Sequence, residues 1–183
     1  MKIIRLLPFL VFACNNKTEK VVKDFTIDSL IMTIPSETKI VETTGIDSYG
    51  FYLISETNDT FMLQYGLPGI NDMHPTSPSV FDINMKEAIF KRMGKNLTSD
   101  EALFSEYPVD DDKQKIFEKN FYLYDTVHSI VVKIVQPKRI GNGITGMYIP
   151  KLKNGFAFSI FSKNLDSSKH KDALQMFKTI RYK

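Results

Sequence analysis

The run Phe156-Ala157-Phe158-Ser159-Ile160-Phe161 and, five residues on, Asp166-Ser167-Ser168-Lys169-His170-Lys171-Asp172-Ala173-Leu174-Gln175-Met176-Phe177-Lys178-Thr179-Ile180 decide the fold class of this chain. The first is aromatic and apolar and has the length of a strand. The second changes period. Ala173, Leu174, Phe177 and Ile180 fall on one stripe of a helix, and Asp166 or Ser167 can cap it by accepting from the free N–H groups of its first turn. An apolar stripe on a terminal helix needs a sheet face to cover. The pair therefore predicts an antiparallel sheet closed by a C-terminal amphipathic helix.

Strand signals continue outward from there. Ser29-Leu30-Ile31-Met32-Thr33-Ile34 ends at Pro35, which cannot donate to a ladder. Tyr49-Gly50-Phe51-Tyr52-Leu53-Ile54-Ser55 and Thr60-Phe61-Met62-Leu63-Gln64-Tyr65 flank Glu56-Thr57-Asn58-Asp59, whose turn chemistry makes the pair a hairpin. Residues 66–82 carry Pro68, Gly69, Pro75 and Pro78 without periodicity and read as a long loop, a feature that compact domains reserve for binding or movement. Met85, Ile89 and Met93, with Gly94 as the stop, predict a short helix. Asp110-Asp111-Asp112 falls in an acidic stretch read as weakly structured. Strands return at 121–124, 129–135 and 144–149. Antiparallel strands with flanking helices and a closing helix make the class α+β.

Composition bounds the partners. The chain has 183 residues, 24 Lys and Arg, 21 Asp and Glu, and a single cysteine, Cys14. Without residues 1–13, which hold Lys2 and Arg5, 22 basic residues face 21 acidic ones. So balanced a surface lacks the positive field that nucleic-acid binding requires, and nucleic acid is not an expected partner. One cysteine excludes an intramolecular disulfide. The remaining length suits one domain that buries close to 70% of the surface its unfolded chain exposes, with no need of a metal or staple.

The start of the chain has a layout of its own. Lys2 and Arg5 precede the apolar run Leu6-Leu7-Pro8-Phe9-Leu10-Val11-Phe12-Ala13, which is short of the roughly 18 apolar residues that span a bilayer. This is the order of an export signal. Asn15-Asn16-Lys17-Thr18-Glu19-Lys20 then buries nothing and reads as a tether. Leu10-Val11-Phe12-Ala13-Cys14 resembles the lipobox of bacterial lipoproteins, in which a cysteine is acylated and becomes the N-terminus. The resemblance implies a signal peptide at 1–13, lipid such as palmitate on Cys14, a lipidated tether at 14–23 and one α+β domain at 24–183. It also implies a cell-envelope location, periplasmic or surface-facing, with the outer membrane as the expected host. Several chains together hold a protein stably to a bilayer, at about 0.8 kcal/mol per buried methylene.

Within the domain, Gly45-Ile46-Asp47-Ser48-Tyr49, Asp59-Thr60, Tyr65-Gly66, Thr145-Gly146-Met147-Tyr148-Ile149-Pro150 and the segment from His170 to Ile180 resemble a family of uncharacterised small lipoproteins from Gram-negative bacteria. The strand order with its closing helix also resembles PsbP-like domains, antiparallel sheets flanked by helices. These resemblances imply a fold and a location and carry no catalytic residue across.

Several motifs match known chemistry and have plainer readings. Gly141-Asn142-Gly143-Ile144-Thr145-Gly146 is a literal G-x-G-x-x-G. A dinucleotide site needs a helix to start there, whereas these glycines lead into the β-type run Met147-Tyr148-Ile149 and read as a hairpin turn. Ser36 with Lys39 and Ser168 with Lys171 match S-x-x-K but lack the companion motifs of serine acylases, so both serines read as surface residues. His74, His128 and His170 have no metal-ligand spacing; His170, between lysines, reads as solvated. Asp110-Asp111-Asp112 is followed by Lys where a calcium loop needs Gly. No cofactor and no metal are expected. From Thr126 to Leu165 there is no acid, while Lys133, Lys138, Arg139, Lys151, Lys153 and Lys163 are all basic. If they share a face they could meet anionic head groups or an acidic partner; the plainer reading pairs them with the acidic segment before them.

Three functions follow. The favoured one is a non-enzymatic, membrane-anchored binding or accessory module that meets a protein or small ligand through its loops. The second is an immunity or inhibitor lipoprotein that neutralises an envelope toxin or hydrolase. The third is an enzyme whose site is assembled from scattered residues such as Tyr65, Asp72 and His74.

Overall fold

Leu30, Met32 and Ile34 are buried while Ile31, Thr33 and Pro35 between them are partly exposed, the period-two signature of a strand with one face on a core. Such patterns organise the whole computed structural model, which describes residues 21–45, 48–74, 78–99 and 101–183. In chain order, β1 (Val22–Ile27), β2 (Leu30–Pro35), β3 (Lys39–Thr44), β4 (Ser48–Ile54) and β5 (Thr60–Gly66) come first. An excursion follows, made of β6 (Ser79–Asp82), α1 (Lys86–Met93), β7 (Ala102–Ser105) and α2 (Pro108–Gln114). Then come β8 (Asn120–Val127), β9 (Ile130–Pro137), β10 (Ile144–Ile149), β11 (Ala157–Lys163), α3 (Ser167–Phe177) and the short β12 (Arg181–Tyr182).

The main sheet has seven antiparallel strands in the order β3-β4-β5-β11-β10-β9-β8. A second antiparallel sheet, β1-β2-β12, lies across one of its faces. β11 is central and is buried on both faces from Ala157 to Ser162, which is why its sequence reads as a continuous run without alternation. α3 packs on β10 and β2 and closes the end of the layer between the sheets. Phe25, Met32 and Ile34 from the small sheet, Leu63, Met147, Phe158 and Ile160 from the large one, and Ala173 and Phe177 from α3 meet in one continuous core. The architecture is α+β, as the closing helix and its strands predict.

The opposite face of the large sheet carries a smaller cluster, Met73, Val135 and Phe161. Met73 comes from the segment after β5, which folds back over the sheet. Its amide donates to Asn71 Oδ1, the amide of Asn71 donates to Gln64 Oε1, and Met73 itself is buried at φ +54°. Gly146 lies under it, where a Cβ would run into the Met73 side chain and Phe161.

Turns obey their local chemistry. Asn58 takes the left-handed conformation that closes β4 onto β5, with Ser55 and Asp59 hydrogen-bonded across the turn. His128 and Ser129, at φ +45° and +67°, form the two-residue link between β8 and β9, the backbone hand that matches strand twist. Gly94 ends α1 at φ +67°.

The sequence reading has no β3, β7 or β12, and the structure departs from it in three further places. β1 begins at Val22, two residues inside the stretch read as tether; Lys23 and Asp24 hid it, since only Phe25 and Ile27 are buried there. Residues 66–82 are not loop throughout, because β6 ends them and pairs in parallel with β7. Asp110, Asp111 and Asp112 lie in α2, where Pro108 sits at the helix start and the early acids face the positive end of its dipole.

Phe177 is fully buried while Leu174 on the same helix is only partly so. Phe177→Ala is expected to lower the unfolding free energy in urea by about 3–5 kcal/mol, and Leu174→Ala by clearly less. Equal losses would mean that the helix docks differently.

Candidate functional site

The residues named as a scattered site do not converge. Tyr65 lies in the main core, where its hydroxyl donates to Asp28 Oδ2 at 2.7 Å and accepts from Asn154 Nδ2 at 2.5 Å. Burial, and next the hydrogen bond to Asp28, push its phenol up to about 12, so it stays protonated and pins the β1–β2 turn to the sheet. Asp72 and His74 lie across the opposite face. Asp72 Oδ2 is 3.4 Å from Lys133 Nζ and 3.6 Å from His74 Nε2, and the His74 side chain is 81% exposed. The seven-stranded sheet separates the two groups.

The other motifs resolve into packing. Gly141 and Gly143, at φ +82° and +144°, shape the link between β9 and β10, and Ile144 opens a strand. His170 is buried, with Nδ1 2.8 Å from Thr145 Oγ1, so the solvated reading of this residue is corrected. Its place on α3 faces β10, one turn before Ala173. His128 Nδ1 is 2.9 Å from the Ile180 carbonyl oxygen and ties the β8–β9 turn to the chain after α3. The basic strands do not form one free face. Lys133 is buried beside Asp72 and 5.2 Å from the Tyr148 ring centre, Lys138 donates to the Lys115 carbonyl, and Lys153 sits 4.1 Å over Tyr182. Cys14 and the 1–13 signal lie outside the described residues.

The feature that sequence reading missed is a cleft of about 370 Å³ between the end of β2, the β4–β5 turn and α3. Its floor is Ile34, Leu53, Phe61, Ala173 and Met176, all supplied by the inward faces of those elements. Its mouth carries Glu37, Glu56, Asp59, Asp166 and Asp172 with Lys169. The walls are tied together: Lys169 Nζ is 2.6 Å from Asp59 Oδ2 and 3.6 Å from Asp166 Oδ2. Partial burial works against the charged Asp59, but Lys169 and the hydroxyls of Thr57 and Ser55 outweigh it and hold the carboxyl below its ordinary range. Asp166 Oδ1 also accepts from the Lys169 amide as the cap of α3, the role expected of it. Ser168 lines the same cleft. The Val21 carbonyl oxygen accepts from the Ser36 amide at 3.0 Å, so the chain enters the domain one residue from the cleft wall at Pro35. The parts were readable singly, as a hairpin turn and a helix cap, but their meeting was not.

No family model matches the chain, and no curated protein matches it. The chain is similar to the solution structure of cyanobacterial PsbP (CyanoP) from Synechocystis sp. PCC 6803, across 94% of this chain and 99% of that one, at 8% identity and a TM-score of 0.44.

Burial holds the His170 imidazole below its ordinary value of 6.5. The unfolded chain therefore takes up a proton near pH 6.5 that the folded chain resists, and stability is present above that pH and falls as the pH drops below it. The expected slope is at most about 1.4 kcal/mol per pH unit. Urea titrations between pH 7 and 5 should show it in the wild type and show it flattened in His170→Asn. The same slope in both would assign the loss to other groups.

Proposed function

We propose that this chain is a non-enzymatic binding module, carried on a bacterial membrane through lipid on Cys14, and that it takes a small apolar ligand into the cleft beside α3. The cleft carries this reading. Its volume of about 370 Å³ falls in the range of small-molecule sites, which run from roughly 300 to 1,000 Å³. Its apolar floor with polar groups confined to the mouth is the usual division of labour in such sites, burial for affinity and a few polar groups for orientation. The ion pair from Asp59 to Lys169 keeps the two walls at a fixed spacing, so a ligand would meet a preformed site.

The anchor fits the same role. Six residues separate Cys14 from Val21, and the seven Cα–Cα steps fully extended reach about 25 Å. A ligand at the membrane surface is therefore within range of the cleft. Val21 is hydrogen-bonded to Ser36, next to Pro35 of the cleft wall, which supports this reading.

The neutral probe N-phenyl-1-naphthylamine tests the cleft on the mature chain, residues 14–183 with Cys14→Ser. Its fluorescence is expected to rise and saturate. Met176→Arg, which puts a cation into the floor, is expected to weaken binding by about tenfold while leaving a cooperative melt. No binding, or binding indifferent to Met176→Arg, would overturn the cleft reading. In cells, full-length Cys14→Ser is expected to leave the membrane fraction and to lose labelling by palmitate. If it stays with the membrane, the anchor is wrong.

A further inference from the structure

The cleft's chemistry points to more than an apolar occupant. Five carboxylates line it against one ammonium, that of Lys169. Lys169 is itself held between Asp59 and Asp166. A second cation lies close by, but Lys23 Nζ is directed to the Thr38 carbonyl oxygen at 2.8 Å. At the mouth, Glu37 and Glu56 are exposed, and Glu37 accepts from the neutral Ser36 hydroxyl at 3.2 Å. Low-dielectric walls beneath such a rim concentrate its negative field at the entrance.

Resting on the reading of the cleft as a ligand site, we propose that it selects amphiphilic amines: a short apolar chain or ring lying on Ile34, Leu53, Phe61 and Met176, ending in a protonated amine at the acidic mouth. Each half of the site rejects an alternative. A bare hydrated cation gains nothing from an apolar floor, and burying part of its hydration shell there costs free energy. A fatty acid of the same length gains the floor but brings its carboxylate against Glu37, Glu56 and Asp172. An alcohol gains the floor and is indifferent to the field. An alkylammonium gains both. The amine also has carboxylates to meet without displacing Lys169, because Glu37 and Glu56 line the cleft and are not partners in the Asp59–Lys169 pair.

Octylammonium, octanol and octanoate form a matched series that tests this on the same mature chain by titration calorimetry. Octylammonium is expected to bind about tenfold more tightly than octanol, with octanoate weakest. The advantage over octanol should shrink several-fold on raising the salt from about 20 to 500 mM, because exposed charges are screened over a few Å at the higher concentration. It should shrink likewise in the double variant Glu37→Gln, Glu56→Gln. Both glutamates are exposed, so the variant keeps its fold, and a melt checks this. Met176→Arg should weaken octylammonium and octanol by about tenfold, as it does the naphthylamine. Octanoate binding as well as octylammonium, or an advantage that survives both salt and the double variant, overturns the selection by these carboxylates. If none of the three binds while N-phenyl-1-naphthylamine does, the selection fails and the cleft reading stands; if the naphthylamine fails too, both fall.

Discussion

One apolar layer holds this protein together. The inner face of the seven-stranded sheet, the inner face of the β1-β2-β12 sheet and the stripe of α3 share a single core, and none of them could bury its apolar face alone. Burial returns roughly 25 cal/mol for each Å² of apolar surface removed from water, so the layer sets where each element must lie. β11 shows the constraint most sharply. It is the middle strand, covered on both sides, and a Phe-Ser-Ile-Phe run is stable there only because the small sheet and α3 cover one face and Met73 the other.

Three polar groups caught by that packing are given a partner, while the Ser29 and Ser159 hydroxyls are buried without one among the described residues. Tyr65 has Asp28 and Asn154, His170 has Thr145, and Lys133 has Asp72. A buried charge or hydroxyl without a partner costs a few kcal/mol, so these contacts fix register and loop position more than they add stability. Lys133 is the clearest case: its partner comes from the segment after β5, and the pair holds that segment down with Met73 over Gly146. Tyr65 and Asp72, two of the residues that sequence reading grouped as a scattered site, thereby have structural work on opposite faces of one sheet, while the His74 side chain is exposed.

The cleft is a product of the same layer. α3 covers β2 and β10, and near its start the β4–β5 turn stands apart from it, bridged by Lys169. The floor is the margin of the core, with Phe61 and Met176 partly exposed and Ile34, Leu53 and Ala173 buried beneath. The mouth takes its sign from the helix cap, the hairpin turn and the turn after β2. Three local solutions to capping and turning all use carboxylates, and their sum is an acidic rim over an apolar surface.

The sequence by itself determined the elements that have a strong local period or local chemistry. The α3 stripe and its Asp166 cap, the β4–β5 hairpin through Asn58, the strand from Leu30 and the stop at Gly94 were all legible, because helix periodicity, strand alternation and left-handed turns are fixed by near neighbours. β1, β3, β6, β7 and α2 were not, since charges, an acidic run, flanking prolines and short length mask elements that exist mainly through what they pair with or pack on. His170 between two lysines read as solvated, because burial depends on which face of α3 meets β10. The cleft was legible least of all. Its lining comes from residues 34 to 61 and 166 to 176, and only the docking of α3 across the sheets brings those stretches within one ligand's length. Local physics chose the strands and helices; the burial of one shared apolar layer decided which side chains meet.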